Sequence, residues 1–295
     1  MKKIYWHLPG FSVYFYMNQV MIHLMQAYPD AFREGYAVGS VYGTFPGAIW
    51  NGGRAVFGCA SHGEMEQIIA TYNRFGVPVR FTWTNPLIEE KHLQDTYCNL
   101  IMETARGGKN QVLVNSPVLE EYLRKTYPDF AYISSTTKRL TTLEALRGEL
   151  GRDYALVVLD YDLNHDEAAL AALEPEAERI EILVDEICFP KCPKRAEHYR
   201  DEGLMQLRFE RAKAYPCPNR EKRPTFAECK KRPAFIDKDE IASYAERGFV
   251  NFKLVGRGLP PELVKESYLY YLPKEEKREF VREKLETDLA KLTGR

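Results

Sequence analysis

Short apolar runs alternate with stretches of helical spacing along most of the chain. Eight runs have strand character, and several of them are apolar almost throughout, as expected for strands that are covered on both faces. Seven of the eight are followed fairly directly by a pattern in which apolar residues recur at helical spacing. Strands that alternate with helices predict a parallel α/β architecture. The runs occupy residues 3–6, 38–43, 77–83, 111–115, 130–135, 154–160, 180–184 and 249–256.

Eight such units predict a (β/α)8 barrel of the TIM type, regular or distorted, with residues 1–295 as a single barrel domain. A doubly wound open sheet is the alternative architecture. An open sheet that binds a dinucleotide carries a glycine-rich first turn, whereas the first predicted strand here runs into "HLPGF". Residues 274–295 are expected to form an exposed amphipathic C-terminal helix.

The alternation breaks at residues 188–240, between the seventh and eighth predicted strands. A loop of this length is usually functional or disordered. In a barrel it would emerge at the carboxyl-terminal face, where barrel enzymes keep their active sites. The insertion is rich in cysteine, and the thiols that it holds are Cys188, Cys192, Cys217 and Cys229.

Four thiols are enough for an iron–sulfur cluster or for a structural zinc ion. Their spacing is C-x3-C followed by gaps of 24 and 11 residues. This spacing lacks the paired C-x2-C knuckles of a zinc ribbon, and Arg195 stands where a C-x3-C-x2-C radical motif needs cysteine. Metal or cluster binding is favoured over free structural thiols. Cys59 is an alternate ligand, and Cys98 reads as a packed helical residue.

The charge of the chain is informative locally rather than in total. The formal net charge is −1, so no overall field draws the protein to nucleic acid or membrane. No apolar run approaches the roughly 18 residues that span a bilayer, so we expect a cytoplasmic protein without a membrane partner. Residues 191–232 contain 13 lysines and arginines against 6 acidic residues, which suits either an RNA substrate or neutralisation of a cluster.

Charged side chains at the predicted strand ends are candidates for a site at the barrel mouth. Cations there can bind phosphate or carboxylate, and an ordinary ion pair is the equal alternative. Acids and a histidine there can transfer protons, although salt bridges are the commoner role for such acids. The candidate anion-binding cations are Lys253 and Arg257, and the candidate proton-transfer groups are Asp160, Asp185, Glu186 and His198.

The loop "GTFPGAIWNGGR" (43–54) and two strand-end amides suggest contacts with a planar ligand. The aromatic rings of Phe45 and Trp50 would supply a stacking wall. Asn85 and Asn115 would bind the polar groups of the ligand. A tight, well-packed connection is the alternative interpretation of the loop.

Three blocks of the sequence carry a further signal. They read "VLVNSPVLEEYLRKTYPDFAYISSTT", "EILVDEICFPKCPKR" and "IASYAERGFVNFKLVGRGLPPELVKESYLYYL". In order across roughly residues 110–272, they resemble blocks of the collagenase-like peptidase family, the thirty-second of the peptidase families of unknown mechanism. The third block is similar to the family signature GV-x-x-(L/F)-K-I-E-G-R, with Val255 in place of the glutamate.

The resemblance implies a barrel-like α/β fold and, as in several members, a 4Fe-4S cluster held by four cysteines. By position, Cys188 matches the first cluster cysteine and Cys217 matches a later one. Lys253, Gly256 and Arg257 match the signature, while the first cysteine pair is closer than in many members. Known members support oxygen-independent hydroxylation of RNA bases or of quinone precursors, and others are described as proteases.

We therefore expect a 4Fe-4S protein, with zinc as the alternative metal, that hydroxylates or otherwise modifies an RNA base or a small aromatic molecule. A partner protein of the same family is a further expectation. The alternatives are a peptidase and a non-catalytic barrel with a structural zinc ion or cluster. No H-E-x-x-H or G-x-S-x-G motif supports the peptidase, and no organic-cofactor fingerprint is present.

Overall fold

The computed structural model describes residues 2–210, 217, 224–256 and 258–294. Its strands are β1 (Ile4–Pro9), β2 (Tyr36–Gly43), β3 (Val79–Trp83), β4 (Gln111–Val114), β5 (Ala131–Ser134), β6 (Leu156–Val158), β7 (Ile180–Leu183) and β8 (Asn251–Lys253). They pair in parallel and in chain order, and β1 pairs with β8 to close the barrel. The predicted (β/α)8 barrel is confirmed, and the open sheet is wrong.

Helices alternate with the strands around the outside of the barrel. In the described ranges they are α1 (Phe15–Ala27), α2 (His62–Arg74), α3 (Thr96–Thr104), α4 (Pro117–Thr126), α5 (Leu143–Leu150), α6 (Glu167–Leu173), α7 (Arg195–Arg208), α8 (Phe226–Cys229), α9 (Ile241–Glu246), α10 (Pro261–Tyr271) and α11 (Arg278–Thr293). Local signals fix several starts. The Ser116 hydroxyl accepts the Leu119 N–H, and Pro117 takes the first position of α4.

The inside of the barrel is built in layers of different character. The main hydrophobic core lies outside the strands, where they pack against the helices. Inside, a small apolar cluster contains Leu113, Ile133, Val158 and Leu183. Two residues before Leu183 on β7, the buried Glu181 pairs with the buried Arg80 of β3. A buried ionic group therefore lies beneath the mouth of the barrel.

The segment between β7 and β8 begins at the carboxyl end of β7. Its helix α7 is held against the loop that follows β2. Glu202 accepts the Ala55 N–H at 2.7 Å, and Gln206 accepts the Val56 N–H at 2.7 Å and the Asn51 amide at 3.1 Å. These bonds place α7 on the carboxyl-terminal side of the barrel.

The C-terminal helix α11 is part of the outer layer. It packs against α1, and its Val281 and Leu285 are buried. The apolar positions of the helix cover the side of α1, and most of its other positions are partly or fully exposed. In the described ranges, no helix combines the length and the apolar character needed to cross a bilayer.

Candidate functional site

A cavity of about 70 Å³ lies at the carboxyl ends of the strands. Its charged lining residues in the described ranges are Arg54, Glu186, Arg195 and Lys253. The hydroxyl residues 135–137, which follow β5, form one wall. Three cations and one carboxylate thus meet where barrel enzymes carry their active sites.

A larger groove of about 650 Å³ lies outside the barrel, between α1, α2, α10 and α11. Its lining mixes apolar residues such as Tyr16 and Leu289 with the ion pair of Lys265 and Glu286. Volume alone does not make it the functional site. Polar and ionisable groups from several strand ends converge in the smaller cavity. A reaction requires such groups close together, so the smaller cavity is the better candidate site.

Lys253 connects the cavity to the buried ionic group. Its ammonium lies 3.1 Å from Glu181 and 4.2 Å from the centre of the Tyr42 ring. Glu181 also pairs with Arg80. Burial alone would raise the pKa of Glu181, but the charges of Arg80 and Lys253 outweigh burial and hold the pKa well below its usual value. The carboxylate beneath the cavity is therefore ionised at neutral pH.

His7 and Ser40 form a serine–histidine contact in the same buried layer, at 2.8 Å. Both side chains are buried, and His7 lies 3.4 Å from Glu181. Burial lowers the pKa of His7 to about 3, and the charges of Arg80 and Lys253 add to the fall against the opposing effect of Glu181. So weak a base, beyond the reach of a substrate, does not form a hydrolytic triad.

Arg195 is held rigidly at the start of α7. Its guanidinium lies 4.6 Å from the centre of the Tyr161 ring and 5.2 Å from that of Tyr199, and it donates to both phenol oxygens. Glu186 is 3.9 Å away. The side chain is 3% exposed, and in the described ranges its Nε has no hydrogen-bond partner. The stacking fixes the position of a cation in the cavity wall.

Cys188 lies two residues after Glu186, a residue of the cavity lining. Its N–H donates to Glu186 at 2.9 Å. Burial and the charge of Glu186 raise the pKa of its thiol to about 11, while Arg195 and Arg54 act in the opposite direction. Cys217 also interacts electrostatically with it. Without a metal ion, Cys188 is therefore a neutral thiol at neutral pH, and a metal that binds it displaces the thiol proton.

Within the described part of the chain, the other cysteines are not arranged as a metal site. Cys229 is buried beside Ile187 and Leu263, and burial raises the pKa of its thiol to about 12. Cys192 is half-buried and Cys59 is exposed. Across the described ranges, no group of three or more histidine, cysteine or acidic side chains is arranged to hold a metal ion. The side chains therefore do not form a finished ligand set, and the cluster, or zinc in its place, stays a prediction.

Two of the candidate proton-transfer acids have structural partners. Asp160 pairs with Arg139 at 2.7 Å, and burial raises its pKa. Asp185 accepts the Val255 N–H at 2.7 Å and the Ser267 hydroxyl at 2.5 Å. Burial raises the pKa of Asp185 to about 7. Asp160 thus forms a salt bridge, the alternative role given for these acids, whereas Asp185 joins the end of β7 to the segment after β8 and to α10.

His198 and Glu186 have different surroundings. His198 lies 3.0 Å from Glu202 of the same helix, one turn away. Glu186 is the acidic residue of the cavity lining in the described ranges. Of the two candidate cations, Lys253 lines the cavity and Arg257 lies outside the described residues.

The predicted stacking wall is wrong for this structure. Phe45 and Trp50 are fully buried. Phe45 packs against Phe11 at 5.0 Å between ring centres, and Trp50 packs against Trp83 at 5.8 Å. The loop folds its aromatic rings back into the core because burial of large apolar rings is strongly favourable. Neither ring offers a face to a ligand.

The two amides have supporting roles. Asn85 is buried and donates to the carbonyls of Ile49 and Gly203, so it joins two loops. Asn115 donates to the Thr137 hydroxyl at 2.7 Å and thereby orients a residue of the cavity wall. Asn115 thus acts behind the lining, and neither amide is among the described residues that line the cavity.

Arg54, Arg195 and Tyr199 line the cavity, although their positions in the sequence did not mark them as ligand-binding residues. Arg54 closes the glycine-rich loop after β2, and Arg195 follows the cysteine pair. For these two arginines, the available sequence signal was a basic residue close to a glycine pair or to a cysteine pair.

The fold and this cavity define a (β/α)8 barrel with a charged pocket at the carboxyl ends of its strands. The chain is similar in structure to a solved protein described as the U32 peptidase Mk0906, with a TM-score of 0.56 and 17% sequence identity. The similarity covers 88% of this chain and 95% of that chain. The term U32 in that description denotes the collagenase-like peptidase family, whose sequence blocks this chain resembles. No protein-family model and no curated protein matches the chain, so the likeness shows the fold.

Proposed function

We propose that the protein is an iron–sulfur enzyme related to the collagenase-like peptidases. It would modify a small aromatic substrate or an RNA base, by oxygen-independent hydroxylation, at the cavity of the barrel. The position of Cys188 carries the proposal. Its thiol interacts electrostatically with Arg54 and Arg195, and both cations line the cavity. A metal ligand at this position would border the space where a substrate binds.

The side chains of the cavity have distinct roles in this proposal. Lys253, Arg54 and Arg195 would hold an anionic part of the substrate or of the oxygen donor. Glu186 lines the same space and is the group best placed to move a proton. The basic stretch 191–232 would contact RNA, if RNA is the substrate, or a partner protein of the same family.

A peptidase is the second candidate, and the name of the structural neighbour is what favours it. A peptidase must activate a nucleophile or a water molecule. The contact between Ser40 and His7 does not meet this need, because both residues are buried and the pKa of His7 is about 3. The cavity chemistry therefore favours ligand binding and proton transfer over peptide hydrolysis.

Metal analysis after anaerobic purification tests the proposal. We expect about four iron atoms and about four acid-labile sulfides per chain. Cys188→Ala should lose the cluster, whereas Cys98→Ala, which removes a thiol buried in α3, should keep it. A hydroxylated species in RNA or in a small-molecule extract should disappear from cells that lack the gene.

Three other outcomes would point elsewhere. One zinc ion per chain would favour a structural metal site. A protein without any metal after anaerobic purification would contradict the proposal of an iron–sulfur enzyme. Cleavage of peptides that does not depend on metal, together with an unchanged pattern of modified species, would establish the peptidase instead.

A further inference from the structure

We infer that the cavity at the barrel mouth is a binding site for a compact oxyanion, a phosphate or carboxylate group, held by Arg54, Arg195 and Thr136. The three residues follow three different strands, β2, β7 and β5, and all line one cavity. The inference rests on the proposed function in that it names the part of the substrate that enters this cavity. Binding can nevertheless be measured without any turnover.

The charge of the lining favours an anion. In the described ranges the lining has three basic residues and one acidic residue, Glu186, and the basic Lys253 is also paired with Glu181 beneath the cavity. Glu186 already accepts the Cys188 N–H at 2.9 Å and lies 3.9 Å from Arg195. Arg54 donates to the Gly53 carbonyl of its own loop at 3.0 Å. Arg54 and Arg195 thus bring two guanidinium groups into the cavity lining, and such groups bind phosphate and carboxylate through paired N–H donors.

Two donors in the lining are also without an acceptor. In the described ranges, neither Nε of Arg195 nor Oγ1 of Thr136 has a hydrogen-bond partner, and both atoms are buried. More than nine in ten buried polar groups in folded proteins are paired, so two such donors on residues that line one cavity require an explanation. An oxyanion in the cavity would supply acceptors for both residues. A neutral or cationic ligand would not relieve the cationic lining.

The size of the cavity limits what enters it. A buried water needs roughly 10–15 Å³ of such volume, so a cavity of about 70 Å³ accommodates one compact group of a few heavy atoms. Pockets that enclose whole small-molecule ligands measure roughly 300–1,000 Å³. The charged group of a substrate would therefore occupy the cavity, and the remainder would lie outside it on the rim.

Calorimetric titration of the purified full chain tests the inference with inorganic phosphate and, separately, with malonate, at constant ionic strength set by chloride. We expect saturable binding of at least one anion, and the tighter of the two identifies the group as phosphate or carboxylate. Arg54→Gln should weaken binding about tenfold or more, because it removes a charged donor. Thr136→Val should weaken it several-fold without any change of charge. Arg247→Gln is the matched control, since it removes an arginine from ion pairs with Glu167 and Glu174 outside the cavity.

Thermal unfolding of each variant without ligand separates loss of the site from loss of the fold. The inference is overturned if neither anion binds saturably, or if folded Arg54→Gln and folded Thr136→Val both bind as tightly as the wild type. Absence of anion binding in a protein that carries its cluster would refute this inference alone. Anion binding by a protein that never acquires a cluster would support it and refute the proposed function.

Discussion

At the scale of single residues, the buried His7 shows how the barrel interior controls charge. Its Nδ1 lies 3.2 Å from a guanidinium nitrogen of Arg80, which can only donate, so Nδ1 accepts and the proton of the neutral ring sits on Nε2. Nε2 then donates to Asn251 at 3.3 Å. Protonation of Nδ1 would turn an N–H towards Arg80, and this conflict adds to burial, which is the main cause of the low pKa of His7.

We predict that His7 makes folding stability fall on mild acidification. The ordinary pKa of 6.5 applies to the unfolded chain, and the native pKa is about 3. Between these values the unfolded chain binds a proton at His7 that the native protein does not bind. The free energy of unfolding should therefore decrease by up to about 1.4 kcal/mol per pH unit below pH ~6.5 from this residue alone, and the loss should end near its native pKa.

Urea denaturation between pH 7 and about pH 4.5 measures this effect as the difference between the wild type and His7→Gln. The variant should lose less stability per pH unit than the wild type. The exposed His62→Gln is the matched control and should follow the wild-type curve. Parallel curves for the wild type and His7→Gln would show that the residue is not held neutral.

The sequence identifies site residues where a strand leads straight to them. Lys253 and Glu186 stand at or just beyond strand ends, and a strand fixes its next residues at the rim. Arg54 and Arg195 depend on the path of a loop and on the docking of a helix, which no local pattern contains. Trp50 was wrongly predicted at the rim because a loop rich in glycine and aromatic residues can turn its rings either outwards or into the core.

At the scale of elements, α7 shows why one helix was missed while the strands were found. Its buried residues are Arg195, Tyr199, Glu202, Gly203 and Gln206, which follow helical spacing. The buried face is polar, however, so it lacks the apolar period from which helices are predicted. The helix docks through hydrogen bonds to the loop after β2 rather than through apolar packing. The strands, in contrast, are recognised easily because several of them are continuous runs of apolar residues.

We predict that Gln206→Ala destabilises the protein by about 1–3 kcal/mol, because it leaves the Val56 N–H without the acceptor that holds α7 in place. It should also weaken anion binding at the cavity, since Arg195 lies on the same helix. Gln67→Ala, on the exposed face of α2, is the control and should change stability by less than about 0.5 kcal/mol. Urea denaturation measures both variants, and equal stability of the two would contradict a docking role for Gln206.

At the scale of the whole molecule, the fold is easier to predict from the sequence than the chemistry is. Eight apolar runs in regular alternation with helices leave few arrangements other than a barrel. The identity of a metal centre depends instead on a few thiols whose positions are set by the long segment after β7. Their spacing in the sequence constrains the distance between them only loosely. The barrel therefore follows from the pattern, and the metal content needs measurement.

We predict that the seam between β1 and β8 is as strongly protected as the middle of the sheet. The Tyr5 N–H donates to Val250 at 2.8 Å and the Leu254 N–H donates to His7 at 3.1 Å, so the first and last strands have no free edge here. These amides should exchange with deuterium on the order of a thousandfold more slowly than unprotected amides, because exchange requires opening of the closed barrel. Peptide-level exchange measured by mass spectrometry should give similar protection for β1, β4 and β8, and rapid exchange in the exposed last turn of α11. Fast exchange confined to β1 and β8 would indicate an open seam, with two edge strands in place of a closed barrel.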